Sequence, residues 1–449
     1  MYETHIFYSV LAVSWTEFLW ELYLSVRQHQ VYKNTTSVPK KLQDVLDNET
    51  FQKARSYSLD KSSFSILKEI YGAVLGTAML WSFTFRIFWD TSESILVKFG
   101  MEPSELMVSS LFILLLNVFN TVLSLPLKLY ETFVVEEKHG FNKQTLGFFV
   151  KDKIKTFLVM NLIVIPLGVI TIMIVKAGGD YFFIYLWLFG MVTLVFLMTI
   201  YPDYIAPLFD KYTPLPDGEL RTQIEELAAS VNFPLYKLYL VEGSKRSVHS
   251  NAYFYGFFKN KRIVLFDTLL KNEKNADKGC ENPEILAILG HELGHWKFNH
   301  VTINLIIMEV NLFVQFLAFS ALFKYQALYS AFGFESQPVL IGLIVIMQYV
   351  FAPYNTPVLI GLIVIMQYVF APYNTVMNFC LTSLSRKMEF QADEFAKSLG
   401  KASYLKKALV KLHKDNLSFP IYDWLYSAWH HSHPTLLQRL EELDNNKQD

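Results

Sequence analysis

Apolar runs of about twenty residues recur along this chain of 449 residues, and no other feature limits its possible folds so strongly. In hydrocarbon every backbone N–H and C=O must find a partner within the chain, so a run of that length crosses a bilayer as an α-helix. The runs predict spans at 6–26, 66–89, 106–125, 157–175, 181–200 and 301–323, with a last helix ending near Leu384, seven in all. Composition agrees: 52% of residues are hydrophobic, only 18% are charged, and mean hydropathy is +0.25. The first run carries Glu17 and Glu21 and no small-residue cleavage site follows it, so it reads as a retained helix rather than a removable leader. A formal net charge of −1 gives no reason to expect a nucleic-acid partner, and two cysteines, Cys280 and Cys380, give no disulfide framework.

Lysine and arginine set the expected orientation. The connection after the first run holds Arg27, Lys33, Lys40, Lys41, Lys53, Arg55 and Lys61, and the one after the third holds Lys128, Lys138, Lys143, Lys151, Lys153 and Lys155. The opposite connections offer little beyond Lys98, Lys176 and Lys324. The positive-inside bias therefore places the basic loops, 201–300 and the carboxyl tail in the cytosol. Four regions result: 1–200 with spans one to five, a cytosolic unit at 201–300, spans six and seven at 301–384, and a helical cytosolic tail at 385–449. The sixth span carries Asn304, Glu309, Asn311 and Gln315 at roughly helical spacing, a polar face within lipid depth. An identical 19-residue tandem, 338–356 and 357–375, complicates the last crossing. Two separate crossings there would carry the tail to the wrong side, so the second copy is expected to form the seventh helix, kinked at Pro372, and the first to lie in the luminal loop, be poorly ordered, or make that helix start early.

The cytosolic unit reads as α+β. Leu220, Ile224, Leu227 and Val231 have helical spacing, Leu235–Val241 alternates like a strand, and 252–258 with 262–266 reads as a hairpin. The polar stretch 271–281 is expected to be a mobile loop. Next comes His291-Glu292-Leu293-Gly294-His295 at the end of a helical run. On a helix its two histidines share a face and can reach one Zn²⁺, while Glu292 stands beside the open position as a general base. Two imidazoles leave a catalytic zinc one protein ligand short. Glu389, at the start of a predicted helix on the same membrane side, is the best third ligand. Asp393, one turn later, can accept the Nδ1–H of a ligand histidine. His300, His430 and His431 read as bystanders.

The order of these motifs resembles the integral-membrane CAAX prenyl protease 1 family. His291–His295 is followed by two spans, Glu389-Phe-Gln-Ala-Asp393 and Ser432-His433-Pro434-Thr435-Leu-Leu-Gln-Arg439. Trp20-Glu-Leu-Tyr-Leu24, Glu136-Glu-Lys-His-Gly-Phe-Asn142 and His249-Ser-Asn-Ala252 strengthen the likeness, and a fungal member is expected. The resemblance implies about seven transmembrane helices enclosing a chamber, closed at its cytosolic end by a zincin-like α+β metalloprotease domain of gluzincin type. It implies one Zn²⁺ on His291, His295 and Glu389, with Glu292 as base and His433 stabilising the oxyanion. Asp393 and Arg439 would support the ligands, and Asn251 and Ala252 would pair with the substrate backbone. The implied substrates are farnesylated CAAX proteins, trimmed by three residues, with a second upstream cut in an a-factor precursor; a mammalian relative processes prelamin A. The implied location is the endoplasmic reticulum membrane, extending to the inner nuclear membrane. The rivals are a membrane quality-control zinc protease without a prenyl requirement and a non-enzymatic membrane scaffold.

Overall fold

The structure, a computed structural model, describes residues 2–249, 252–256, 261–271, 278–347 and 371–445. Six long helices come first: α1 (Tyr2–Asn34), α2 (Asn48–Trp81), α3 (Thr84–Lys98), α4 (Glu105–Tyr130), α5 (Leu146–Ala177) and α6 (Phe182–Ile200). Side-chain caps start three of them. Asp47 accepts from the Thr50 N–H, Ser104 from Met107 and Thr145 from Phe148, each satisfying a donor that the first turn leaves over. Large aromatics knit the bundle, with Trp89 against Phe112 at 5.8 Å and Phe182 against Phe319 at 5.6 Å. Outward-facing Leu158, Leu162, Val192 and Phe196 are exposed, a surface suited to acyl chains rather than water.

The expected count of seven crossings is corrected. Among the described residues four helical stretches are long and apolar enough, Glu105–Glu136, Leu146–Ala177, Gly179–Phe209 and His300–Leu322, and five if the bent pair α2 and α3 counts as one. Two physical reasons separate this from the hydropathy reading. α1 is not uniformly apolar: its Ser14, Glu17 and Glu21 line one 400 Å³ cavity against α2. The second run breaks by 60° after Trp81, where Phe83 takes a left-handed conformation at φ 50°. Most of the tandem, 348–370, lies outside the described residues, and with it most of what was expected of the second copy; the first copy begins as a helix, Val339–Met347, with Val339, Leu340, Ile341 and Leu343 buried. The helix that follows it carries Arg386, Lys387, Glu389 and Asp393. Among the described residues the fold is thus a membrane unit of four or five apolar helices joined to a small mixed-sheet domain, rather than the seven spans expected.

That domain begins after the short helix α7 (Ala206–Phe209), with β1 (Tyr212–Pro214), α8 (Glu219–Ser230), β2 (Leu235–Val241), β3 (Ala252–Tyr255), β4 (Lys261–Phe266) and α9 (Asn282–Lys297). The sheet order is β1-β2-β4-β3; β2 runs parallel to β4, and β3 is an edge strand antiparallel to it, Ala252 opposite Leu265. Most of the loop expected to be mobile, 272–277, is outside the described residues. Ile224, Leu238, Leu265, Ile285 and Leu289 form the core between sheet and helices. α10 (His300–Leu322) follows at once, with Gln315 wholly buried in helix packing, then α11 (Gln326–Ser330) and α12 (Val339–Met347). The last four helices are α13 (Ala371–Ser398), α14 (Ala402–Asp415), α15 (Trp424–His430) and α16 (Leu436–Asp444). Phe419, Leu436 and Leu440 dock the tail on Leu42, in the connection between α1 and α2, and on Phe51 in the first turn of α2.

α9 packs directly on α13. A Cβ at Gly294 would stand 2.8 Å from the Ala392 Cα and 3.1 Å from its carbonyl oxygen, backbone atoms that cannot turn aside. Gly294→Ala should therefore destabilise the fold by about 1–3 kcal/mol. Gly147→Ala, where the new methyl meets open space, is the control, and thermal unfolding in detergent reads both.

Candidate metal centre

Helical periodicity brings the ligands together in pairs. His291 and His295, four residues apart on α9, face Glu389 and Asp393, four apart on α13. His291 Nε2 lies 3.2 Å from His295 Nε2 and 3.5 Å from Glu389 Oε2, and His295 Nε2 lies 3.3 Å from Glu389 Oε1. Metal–ligand bonds of about 2.0–2.1 Å in a tetrahedron put donor atoms roughly 3.3 Å apart, so the three residues fit a zinc ion. Among the described residues this is the only cluster of histidine, cysteine and carboxylate groups that could hold a metal. Its charge points the same way. Burial disfavours an imidazolium at His291, yet Asp393 and Glu389 outweigh it and hold the pKa up to about 9. Burial would raise Glu389, but His291, His295 and His433 pull it well below the usual carboxylate range. The pocket calls for positive charge, which a divalent cation provides while leaving both imidazoles neutral.

Each histidine is oriented from behind. His291 donates its Nδ1–H to Asp393 Oδ1 at 2.8 Å, and Arg439 closes a fork on the same carboxylate, Nε to Oδ2 at 2.8 Å and Nη2 to Oδ1 at 2.5 Å. Arg439 thus neutralises a carboxylate that is 1% exposed. His295 Nδ1 meets His300 Nδ1 at 2.9 Å, and His300 Nε2 meets Gln391 Oε1 at 3.1 Å. The amide oxygen only accepts, so His300 carries its proton on Nε2 and accepts at Nδ1 from His295. His295 is left with a free Nε2 lone pair, which is what a metal requires. His300 and Gln391 were not expected in the site. The signal was Asn299, whose left-handed backbone, φ 56°, turns α9 into α10 and brings His300 back over His295.

Glu292 is partly buried beside the ligands, and burial raises its proton affinity, as a general base requires. His433 Nδ1 lies 2.8 Å from Glu389 Oε2, its ring largely exposed. It is not the cap of α16; that role falls to Thr435, whose hydroxyl accepts from the Gln438 N–H at 3.3 Å. Ala252 opens the edge strand β3, which packs on α9, whereas Asn251 lies outside the described residues. If the two orienting chains act as drawn, His300→Ala and Asp393→Asn should each weaken zinc binding about 10–100-fold in chelator competition. Gln391→Ala should weaken it less, because His300 keeps its contact with His295.

The comparisons with known proteins cover the whole chain. A family model described as the CAAX prenyl protease N-terminal region with five membrane helices matches residues 28–211, and that of peptidase family M48 matches 214–447. The CAAX prenyl protease 1 homologs of Mus musculus and Homo sapiens are each 50% identical; the alignments cover 100% and 99% of this chain and 97% of each relative. The Saccharomyces cerevisiae CAAX prenyl protease 1 is 38% identical, with 95% and 93% covered, which weighs against the expected fungal assignment. The crystal structure of S. mikatae Ste24p superposes with a TM-score of 0.86 at 37% identity, covering 98% of this chain and 99% of that one. With its His291, His295 and Glu389 cluster on two packed helices, the chain belongs to the CAAX prenyl protease 1 family, a multi-pass membrane zinc metalloprotease of peptidase family M48.

Proposed function

We propose that this protein removes the last three residues of farnesylated CAAX proteins, and makes a second, upstream cut in a precursor of the a-factor type. The observation that carries the reading is the 50% identity, over essentially the whole chain, to proteins described as CAAX prenyl protease 1 homologs, together with an intact ligand set. The site faces the cytosolic side of the endoplasmic reticulum membrane in this reading, with the inner nuclear membrane as a second location, because the basic loops share its side.

Zinc bound by His291, His295 and Glu389 supplies Lewis acidity, polarising the scissile carbonyl and making water acidic enough to attack near neutral pH. Glu292 accepts the proton of the attacking water and later gives it to the departing amine. His433, exposed and beside Glu389, donates to the oxygen that becomes negative as the carbonyl carbon turns tetrahedral. Asp393 and Arg439 hold the His291 tautomer through both steps. Asn251 and Ala252 offer edge-strand backbone to an extended peptide, which aligns the scissile bond with the metal.

Glu292→Gln should keep its zinc yet lose about 10²–10⁴-fold in kcat. Loss of metal with activity would instead make Glu292 structural. Farnesylated and unprenylated CAAX peptides of one sequence test the substrate. A strong preference for the farnesylated peptide is expected, and equal kcat/KM would favour the quality-control alternative.

A further inference from the structure

His433 is carried on a short connection, 431–435, between α15 and α16. α16 is held to the metal centre from behind, by Arg439 on Asp393 and by Arg386 on Gln438. α15 has seven residues, too few to be stable alone, so its place depends on what grips it. One grip comes from α13, where Arg386 Nη1 donates to the Ser427 hydroxyl at 3.0 Å. The other comes from α1.

Asp423 is where α1 takes hold. Its Oδ1 accepts from the Leu425 and Tyr426 N–H groups at 3.1 and 3.0 Å and so caps α15. The same carboxylate accepts from Arg27, Oδ1 from Nε at 3.0 Å and Oδ2 from Nη2 at 2.8 Å. One group therefore fixes both where the helix starts and what it is tied to. Gln28, 2% exposed, adds its amide: Oε1 accepts from the Asp423 N–H at 2.8 Å, and Nε2 donates to the Ile421 carbonyl at 3.4 Å. At the far end of α15, Glu21 Oε2 lies 3.0 Å from His430 Nε2, and Trp20 packs edge-on against Trp429 at 5.3 Å. Contacts at both ends set the direction of α15, which a single contact would leave free to pivot. The Arg27 and Asp423 side chains are only 30% and 12% exposed, so water and salt screen this pair less than one on the open surface.

Little chain separates α15 from His433. The His431 N–H still donates to the Ser427 carbonyl at 3.1 Å, and Pro434 restricts the backbone of the residue before it. A shift of α15 is therefore passed on to the His433 ring, whose Nδ1 is 2.8 Å from Glu389. We infer that α1 holds this ring at the metal centre through Arg27 and Asp423, which act as positioning residues. The inference rests on the reading of His433 as the oxyanion donor and deepens it by naming what sets the donor's place.

The test uses the full-length protein in lipid nanodiscs and a farnesylated CAAX peptide. Arg27→Gln and Asp423→Asn, the second of which keeps a good helix cap, should each lower kcat about tenfold with KM and zinc affinity unchanged. Arg27→Lys should recover part of the loss. In a His433→Ala background neither change should lower kcat further, because the group they position is gone. Lys41→Gln breaks an exposed pair with Glu441 and, as the control, should leave kcat unchanged. Hydrogen exchange supplies a readout apart from activity: backbone amides of 424–433 should exchange faster in Arg27→Gln and Asp423→Asn, and those of α9 at the wild-type rate. Losses of full size in the His433→Ala background, or wild-type exchange over 424–433, would overturn the inference. Full kcat in His433→Ala alone would sink the oxyanion reading, while exchange would still judge whether α1 holds the ring in place.

Discussion

Gly294 lets the backbone of the HExxH helix settle against Ala392, and the metal centre depends on that contact. A side chain at this position would meet backbone at 2.8 Å and hold α9 away from α13. The two histidines belong to one helix and the carboxylate to the other, so the separations of 3.3 and 3.5 Å between imidazole and carboxylate follow from how closely the helices approach. The same contact buries Glu389 and Asp393, at 3% and 1% exposure. Buried carboxylates are costly unless each finds cationic partners, and these two do. Asp393 has Arg439 and His291, and Glu389 has the imidazoles that a metal would bind.

A charge network of this kind must be held from outside the two helices, and the membrane unit contributes. Arg27 on α1 grips Asp423 with Nε at 3.0 Å and Nη2 at 2.8 Å, and Glu21 takes His430 at 3.0 Å. Both contacts fasten α15, just before His433, to the first helix. Arg386 on α13 reaches Ser427 and Gln438 from the other side. The polar residues of α1 thus serve the tail, and they are also what keeps α1 out of the set of uniformly apolar spans. Hydropathy averages over all faces of a helix, while function here uses one face.

Much of the site was legible before the fold. Histidines at i and i+4, and a carboxylate pair with the same spacing, are local patterns: helix geometry alone puts each pair on one face, and ligand chemistry supplies the reason to join them. The sheet was legible as alternation, with β2 placed at Leu235–Val241 and β4 beginning one residue earlier than the pattern suggested. The number of crossings was not, because the break at Phe83 and the polar face of α1 come from packing and backbone conformation rather than composition. His300 was also misread. Its sequence neighbours, Asn299 and Val301, say nothing of His295, and only the left-handed turn at Asn299 brings the rings together.

The sequence by itself determined the chemistry: which side chains can bind zinc, which can take a proton, and which runs cannot remain in water. Those are properties of residue types and of spacing within one helix. Tertiary structure decided which groups meet across helices: the fork of Arg439 on Asp393, the tautomer set by His300 and Gln391, and the docking of the tail on α1. It also decided how many helices present lipid-compatible faces. Contacts between residues a hundred or more positions apart, such as His291 with Asp393, depend on how rigid helices pack in three dimensions, and no periodicity within a single helix encodes that.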